Sequence, residues 1–159
     1  MESRSTLTVA RFEDHYYESI AGILERIGWE RQYIDGQLAA VRAFATDTVD
    51  SRVFVAHYNE VFSGYISVQF YQWNRLSQIH GLVVDPSMRH KGIASSLVNE
   101  AETFVIARGG RGVYVDTPVT NTGARAFYMS QGYQQDYIMT AYYDVDLDGV
   151  TYLKLFPDR

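Results

Sequence analysis

Three β-rich runs, Val53 to Tyr58, Val61 to Trp73 and Ser77 to Val84, follow one another with only short breaks, and they constrain the fold more than any other feature of the chain. Breaks this short join antiparallel neighbours, because a parallel pair needs a crossover of a dozen or more residues. The turn-prone Asn59-Glu60 separates the first two runs, so the segment reads as an antiparallel meander, and Pro86 ends it. Ahead of it, Leu7 to Phe12 alternates like an edge strand. Asp14 is the predicted cap of a helix reaching about Gly28, with Ile20, Ile23, Leu24 and Ile27 as its apolar stripe. Asp35 is the predicted cap of a second helix ending near Thr46, carrying Leu38, Ala39, Val41 and Phe44.

Beyond the meander, Ile93, Leu97, Val98, Ala101, Phe104 and Val105 recur with helical spacing up to about Arg108, before Gly109-Gly110. Val113 to Thr117 reads as a short strand and Asn121 to Gln131 as a short helix closed by Gly132. Tyr133 to Phe156 holds two strands turning near Asp146-Leu147-Asp148-Gly149. With no repeat and no linker, the 159 residues are expected to form one α/β domain spanning 1–159, and a hydrophobic content of 47% is enough for one core.

A net charge of -5 repels a phosphate backbone over most of the surface, so nucleic acid is not an expected partner. The absence of cysteine removes disulfides, thiolate nucleophiles and thiolate metal sites, and the four histidines show no ligand spacing, so no metal is expected. No apolar run approaches the roughly 20 residues that cross a bilayer, and the start lacks an apolar export signal. A cytoplasmic protein that does not engage membranes is the expectation.

The chemistry concentrates where the third β run passes through Asp85-Pro86 into Arg89-His90-Lys91-Gly92-Ile93-Ala94 and then a helix. The first amides of a helix have no internal partner, and the macrodipole places about half a positive charge there. A strand, tight loop and helix in this order therefore suit a pyrophosphate. Gly92 and Ala94 keep side chains out of the way of the phosphates, while Arg89, His90 and Lys91 add charge at the rim.

The spacing of Arg89, Gly92 and Ala94 matches the R/Q-x-x-G-x-G/A loop of the GNAT superfamily of N-acetyltransferases. Downstream, Asn121, Ala124, Phe127, Tyr128 and Gly132-Tyr133 match a second pattern of that family in the proper order. The segment Leu82 to Tyr133 thus resembles the family's acetyl-CoA-binding half. The resemblance implies a GNAT-like α/β (α+β) fold, a mixed and mostly antiparallel sheet of about seven strands flanked by about four helices. It also implies an acetyl-CoA-dependent acyltransferase. The cofactor would lie on the main chain of Leu82, Val83 and Val84, on Arg89 to Ala94 with Ser95, and on Asn121, Ala124 and Tyr128, although Asn121 suits the cap of its helix equally well. Tyr128 falls where the family often places the tyrosine that protonates the departing thiolate, and a main-chain N–H near Val84 would hold the oxyanion.

Many family members place a glutamate on the strand before the loop as general base, and here that place holds His80. Strand alternation puts His80, Leu82 and Val84 on one face. The offset from Val84 is roughly 13 Å along a strand, which favours a water relay. Packing alone also accounts for such a histidine. The acceptor pocket is expected between the first two helices and the final hairpin, with Tyr33, Tyr71, Trp73, Tyr142, Tyr143 and Asp144 as candidate walls for a cationic small-molecule amine. The tail from Tyr142 to Leu155 also resembles that of ribosomal-protein N-terminal acetyltransferases, which keeps a peptide α-amine as an alternative acceptor. A non-catalytic acyl-CoA-binding module is the third reading, and an edge at the C-terminal hairpin could pair two subunits. If His80 is the base, His80→Ala removes the lower limb of the pH profile of kcat/KM, and a retained limb rules the role out.

Overall fold

The structure, a computed structural model, describes residues 4–157. The elements are β1 (Leu7–Arg11), α1 (Tyr17–Ile27), α2 (Arg31–Thr46), β2 (Ser51–Tyr58), β3 (Val61–Phe70), β4 (Leu76–Val84), α3 (Ile93–Ala107), β5 (Gly112–Pro118), α4 (Thr122–Ser130), β6 (Gln134–Asp144) and β7 (Leu147–Leu155). Their order is the one expected from sequence. One seven-stranded sheet runs β1-β2-β3-β4-β5-β7-β6. The β4–β5 pair is parallel, whereas β1–β2, β2–β3, β5–β7 and β6–β7 are antiparallel.

The chain divides into two compact units, one containing residues up to Gln69 with His80–Phe104, the other Phe70–Ile79 with the residues from Val105 onward. In the first, Ile20, Ile23 and Leu24 of α1 and Ile34 and Val41 of α2 form one buried cluster with Val53, Val55, Tyr65 and Val83 of the sheet. Each such side chain contributes about 1.5–3 kcal/mol by leaving water. In the second, Val113 and Val115 of β5 and Val150 and Tyr152 of β7 are buried together with Tyr128 and Tyr133.

Local boundaries depart from the sequence reading in four places. Asp14 does not cap α1: it opens a 3-10 turn, Asp14–Tyr16, in which Tyr16 N–H donates to Glu13 C=O at 2.9 Å, and the helix follows without a side-chain cap. Asp35 is not a cap either. α2 begins one turn earlier, where Glu30 C=O accepts from Tyr33 and Ile34 N–H, and Asp35 instead forms an i,i+4 ion pair with Arg31 at 2.8 Å. The earlier start brings Ile34 onto the apolar stripe ahead of Leu38 and Val41.

β3 stops at Phe70 because a closed turn follows. Tyr71 N–H donates to Leu76 C=O and Arg75 N–H to Tyr71 C=O, both at 2.9 Å, which leaves Trp73 at the tip, 85% exposed. The last hairpin turns at Val145-Asp146, slightly earlier than expected, and Asp144 accepts from Val145 N–H at 2.7 Å. Asp144 is thus held in the turn.

Burial alternates strictly along β4, with Ser77, Ile79, Gly81 and Val83 buried and His80, Leu82 and Val84 half-buried. The parallel register with β5 extends from Leu76↔Gly112 to Ile79↔Val115. Leu82, Val83 and Val84 lie beyond it. On the β3 side the backbones approach closely, since a Cβ on Gly64 would sit 2.6 Å from the Val83 carbonyl oxygen and 3.2 Å from Val84 Cα. Gly64→Ala should therefore force β3 away from the end of β4, costing about 1–3 kcal/mol in urea unfolding. An unchanged midpoint would show that the strands separate freely there.

Candidate active site

Asp85 joins β4 to the loop and is tied down on three sides. Its N–H donates to Ser63 C=O at 2.7 Å, extending the strand by one residue. Its carboxylate accepts from Ser87 N–H at 3.0 Å and Ser87 Oγ at 2.9 Å, which caps the 3-10 turn Pro86–Met88. Its other oxygen accepts from Arg26 Nη2 of α1 at 2.6 Å. Burial pushes the Asp85 carboxyl up, but the hydrogen bonds from Ser87 and Arg26 outweigh it and hold the group below the usual carboxylate value.

From this anchor the chain passes through Arg89, extended, and His90 at φ 63° to Gly92 at φ 78°. The left-handed φ favours glycine at position 92, and a Cβ there would meet no protein atom within 4 Å. Arg89, His90, Lys91 and Gly92 are exposed, whereas Ile93 is buried and plants the start of α3 in the core with Leu97 and Val98. The ladder of α3 begins with Ser96 N–H donating to Gly92 C=O at 3.1 Å. The amides of Gly92, Ile93 and Ala94 precede it and face out of the first turn. Lys91 Nζ lies 5.0 Å from the Tyr58 ring centroid, held by the hairpin. A basic rim, a glycine turn open to solvent and a set of outward amides fit a diphosphate.

The second predicted motif folds through its caps. Asn121 Oδ1 accepts Ala124 N–H at 3.1 Å at the start of α4. At the other end Gly132 takes φ 91°, Gly132 N–H donates to Met129 C=O and Tyr133 N–H to Tyr128 C=O, the paired bonds of a Schellman cap. The accompanying apolar contact is Tyr128 against Tyr133, ring centroids 5.8 Å apart, and Tyr152 of β7 lies 6.2 Å from Tyr128 on another side. Tyr128 is 6% exposed, and burial pushes its phenol upward. It remains protonated across the neutral range.

His80 packs edge-on against Phe44 of α2, centroids 4.8 Å apart, and its carbonyl accepts from Gln37 Nε2 at 3.0 Å. Gln37 also accepts from Tyr65 OH at 2.7 Å. Of the candidate walls, Tyr33 is half-buried on α2, and Tyr142 and Tyr143 stack at right angles on β6, 4.9 Å apart. In the second unit, Tyr142 hydrogen-bonds a residue that sequence reasoning missed, Asp116 of β5, and Tyr71 is linked to it through Gln78. Gln78 accepts from Tyr71 OH at 3.2 Å and from Tyr114 OH at 3.3 Å, and its amide nitrogen donates to Asp116 at 3.4 Å. Thr151 Oγ1 also donates to Asp116. The available signal was alternation in Val113 to Thr117, which sets Tyr114 and Asp116 on the face opposite Val113 and Val115. No group of His, Asp or Glu among the described residues could hold a metal ion, and no helix there is long and apolar enough to cross a membrane.

The family model described as acetyltransferase (GNAT) family matches residues 15–133, and the chain belongs to that family. An uncharacterized N-acetyltransferase of Methanocaldococcus jannaschii is 37% identical over 60 residues, 38% of this chain and 26% of that protein. The chain thus spans about a quarter of the length of the curated relative it matches. Among solved structures, an aminoglycoside 6'-N-acetyltransferase complexed with coenzyme A superposes with TM-score 0.79 at 19% identity, covering 96% of this chain and 98% of that one. The ribosomal-protein-S18-alanine N-acetyltransferase of Escherichia coli gives TM-score 0.76 at 17% identity, with 94% of each chain covered. Both share the fold.

The depressed Asp85 carboxyl makes the loop anchor pH-dependent with a definite sign. Its stabilisation is complete above the unfolded value of about 3.9 and is lost as pH falls through the lower folded value. The difference in urea midpoint between the protein and Asp85→Asn should therefore be largest above about pH 5 and shrink steadily towards pH 2.5. A difference independent of pH would show that the carboxylate charge contributes nothing.

Proposed function

We propose that residues 1–159 act as one acetyl-CoA-dependent N-acetyltransferase domain whose acceptor is a primary amine on a small molecule. The turn at Gly92 carries this reading: outward amides and a basic rim, fixed to the sheet by Asp85, are a donor set for a diphosphate. Gly92, Ile93 and Ala94 would hold the phosphates through the main chain, with Ser95 beside them and Arg89, His90 and Lys91 around them. The main chain of Leu82, Val83 and Val84 would hold the amide arm, and Asn121, Ala124 and Tyr128 complete the assigned set. Acetyl-CoA, when bound, supplies an acetyl group activated as a thioester.

Tyr128 is assigned as the general acid. Its upward-shifted phenol keeps its proton at neutral pH and so has one to give to a leaving thiolate. His80, partly buried on β4, is assigned as the group that takes the acceptor's proton. The absence of cysteine agrees with direct attack by the amine rather than a thiol-linked acyl-enzyme. A small-molecule acceptor is supported by the aminoglycoside enzyme among the structural neighbours and by Tyr142 beside the Asp116 carboxylate, a mix of ring and charge suited to a cationic amine.

The test is thiol release from acetyl-CoA across a panel of small amines and N-terminal peptides. Turnover with small amines is the expected result. Tight coenzyme A binding without turnover of any amine would reduce the protein to an acyl-CoA-binding module, and turnover of peptides alone would move the acceptor to an α-amine. Tyr128→Phe should lower kcat roughly 100-fold or more while leaving the KM for acetyl-CoA nearly unchanged.

A further inference from the structure

Asp116 is a half-buried carboxylate on β5 whose partners among the described residues are uncharged: the Thr151 hydroxyl, the Gln78 amide and the Tyr142 hydroxyl. None of the ion pairs among the described residues involves it. The arrangement around it is directional. Gln78 receives both the Tyr71 and the Tyr114 hydroxyls at its oxygen, which turns its amide nitrogen towards Asp116. Tyr142 is held in place by close packing over Gly149, where a Cβ would lie 2.9 Å from the Tyr142 ring. Register pairs Asp116 with Thr151, so both project from the same face of the β5–β7 ladder.

Hydrogen bonds from neutral donors satisfy the oxygens of a carboxylate but leave its net charge uncancelled, so it still attracts a cation. Tyr142 beside it, and Tyr71 and Tyr114 joined to it through Gln78, add phenol groups, which also attract a cation. The surrounding tyrosines register that negative charge: Tyr114 is pushed up to about 12, first by burial and then by Tyr71 and Asp116. Tyr142 is likewise raised, by burial and then Asp116.

We propose that Asp116, with Tyr71, Tyr114 and Tyr142, holds a permanently cationic group of the acceptor, so that the preferred acceptors carry a second ammonium or guanidinium beside the amine that is acetylated. The reason the second group is specified is chemical. An attacking amine must be neutral, and a carboxylate stabilises its protonated form. Asp116 therefore suits the end of the acceptor that stays charged. This rests on the acetyltransferase reading above, but its binding arm can be tested without turnover.

The probes are 1,5-diaminopentane and pentylamine, which differ by one ammonium, titrated into the full chain with coenzyme A present and followed by calorimetry. The protein should bind the diamine roughly 10- to 100-fold more tightly than the monoamine, as a charge-assisted contact predicts, and Asp116→Asn should abolish that preference without changing coenzyme A affinity. Equal binding of the two probes by the unsubstituted protein, or no binding of the diamine, overturns the proposal whether or not the variant folds. A preference retained in a folded Asp116→Asn also overturns it. In turnover, Asp116→Asn should raise the KM for the diamine by the same factor with little change in kcat. An equal kcat loss for both amines would place Asp116 at the reacting nitrogen and reject the assignment. Selective diamine binding with no acetyl transfer leaves this inference standing while removing the acetyltransferase reading.

Discussion

The carboxylate of Asp85 connects a sheet strand, a turn and a helix within a few ångströms. One oxygen caps the turn through Ser87 and the other is bound by Arg26 of α1. A loop of exposed basic residues would repel itself and sample many conformations if only its ends were fixed. Here the entry is clamped by the charge-assisted pair of buried Asp85 with the more exposed Arg26, and the exit by Ile93, buried in the core. Between them the left-handed Gly92 sets the direction in which the amides of α3 face. The geometry of the loop is thus a consequence of how its two ends are held.

Tyr128 shows how packing fixes both the place of a side chain and its protonation. Its carbonyl accepts the terminal bond of the Schellman cap, and its ring packs on Tyr133, the residue that donates that bond. Its position is therefore set by local backbone geometry, with Tyr152 adding the contact from β7. The same burial keeps the phenol protonated. Asn121, at the opposite end of α4, is engaged as a cap through its side-chain oxygen, so its helix-terminal role is established independently of any ligand.

The second unit places its aromatic and acidic residues differently from the first. In the first, Tyr65 is fully buried with its hydroxyl paired to Gln37, a structural use of tyrosine. In the second, Tyr71, Tyr114 and Tyr142 stay partly open, and their hydroxyls lead through Gln78 or directly to Asp116. Composition alone does not distinguish these two uses. The distinction lies in whether a hydroxyl ends in a closed pair or leads to a carboxylate whose partners among the described residues are neutral.

Much of this protein was legible in the chain. Element order followed from periodicity, because alternation and the 3.6-residue repeat are local properties. The loop at Arg89 to Ala94 and the Asn121 to Tyr133 motif were readable because a glycine φ, an N-cap and a Schellman cap are each specified within a few residues. The caps assigned to Asp14 and Asp35 failed for the converse reason: a preceding 3-10 turn and the burial of Ile34 moved the helix starts, and such shifts depend on what the helix packs against. Only the tertiary structure decided that Arg26 would meet Asp85 across 59 residues of sequence, that His80 would pack on Phe44, and that Gln78, Asp116 and Thr151 would converge. Those contacts join residues far apart in the chain, and strand register and helix docking, which no local pattern encodes, determine which of them meet.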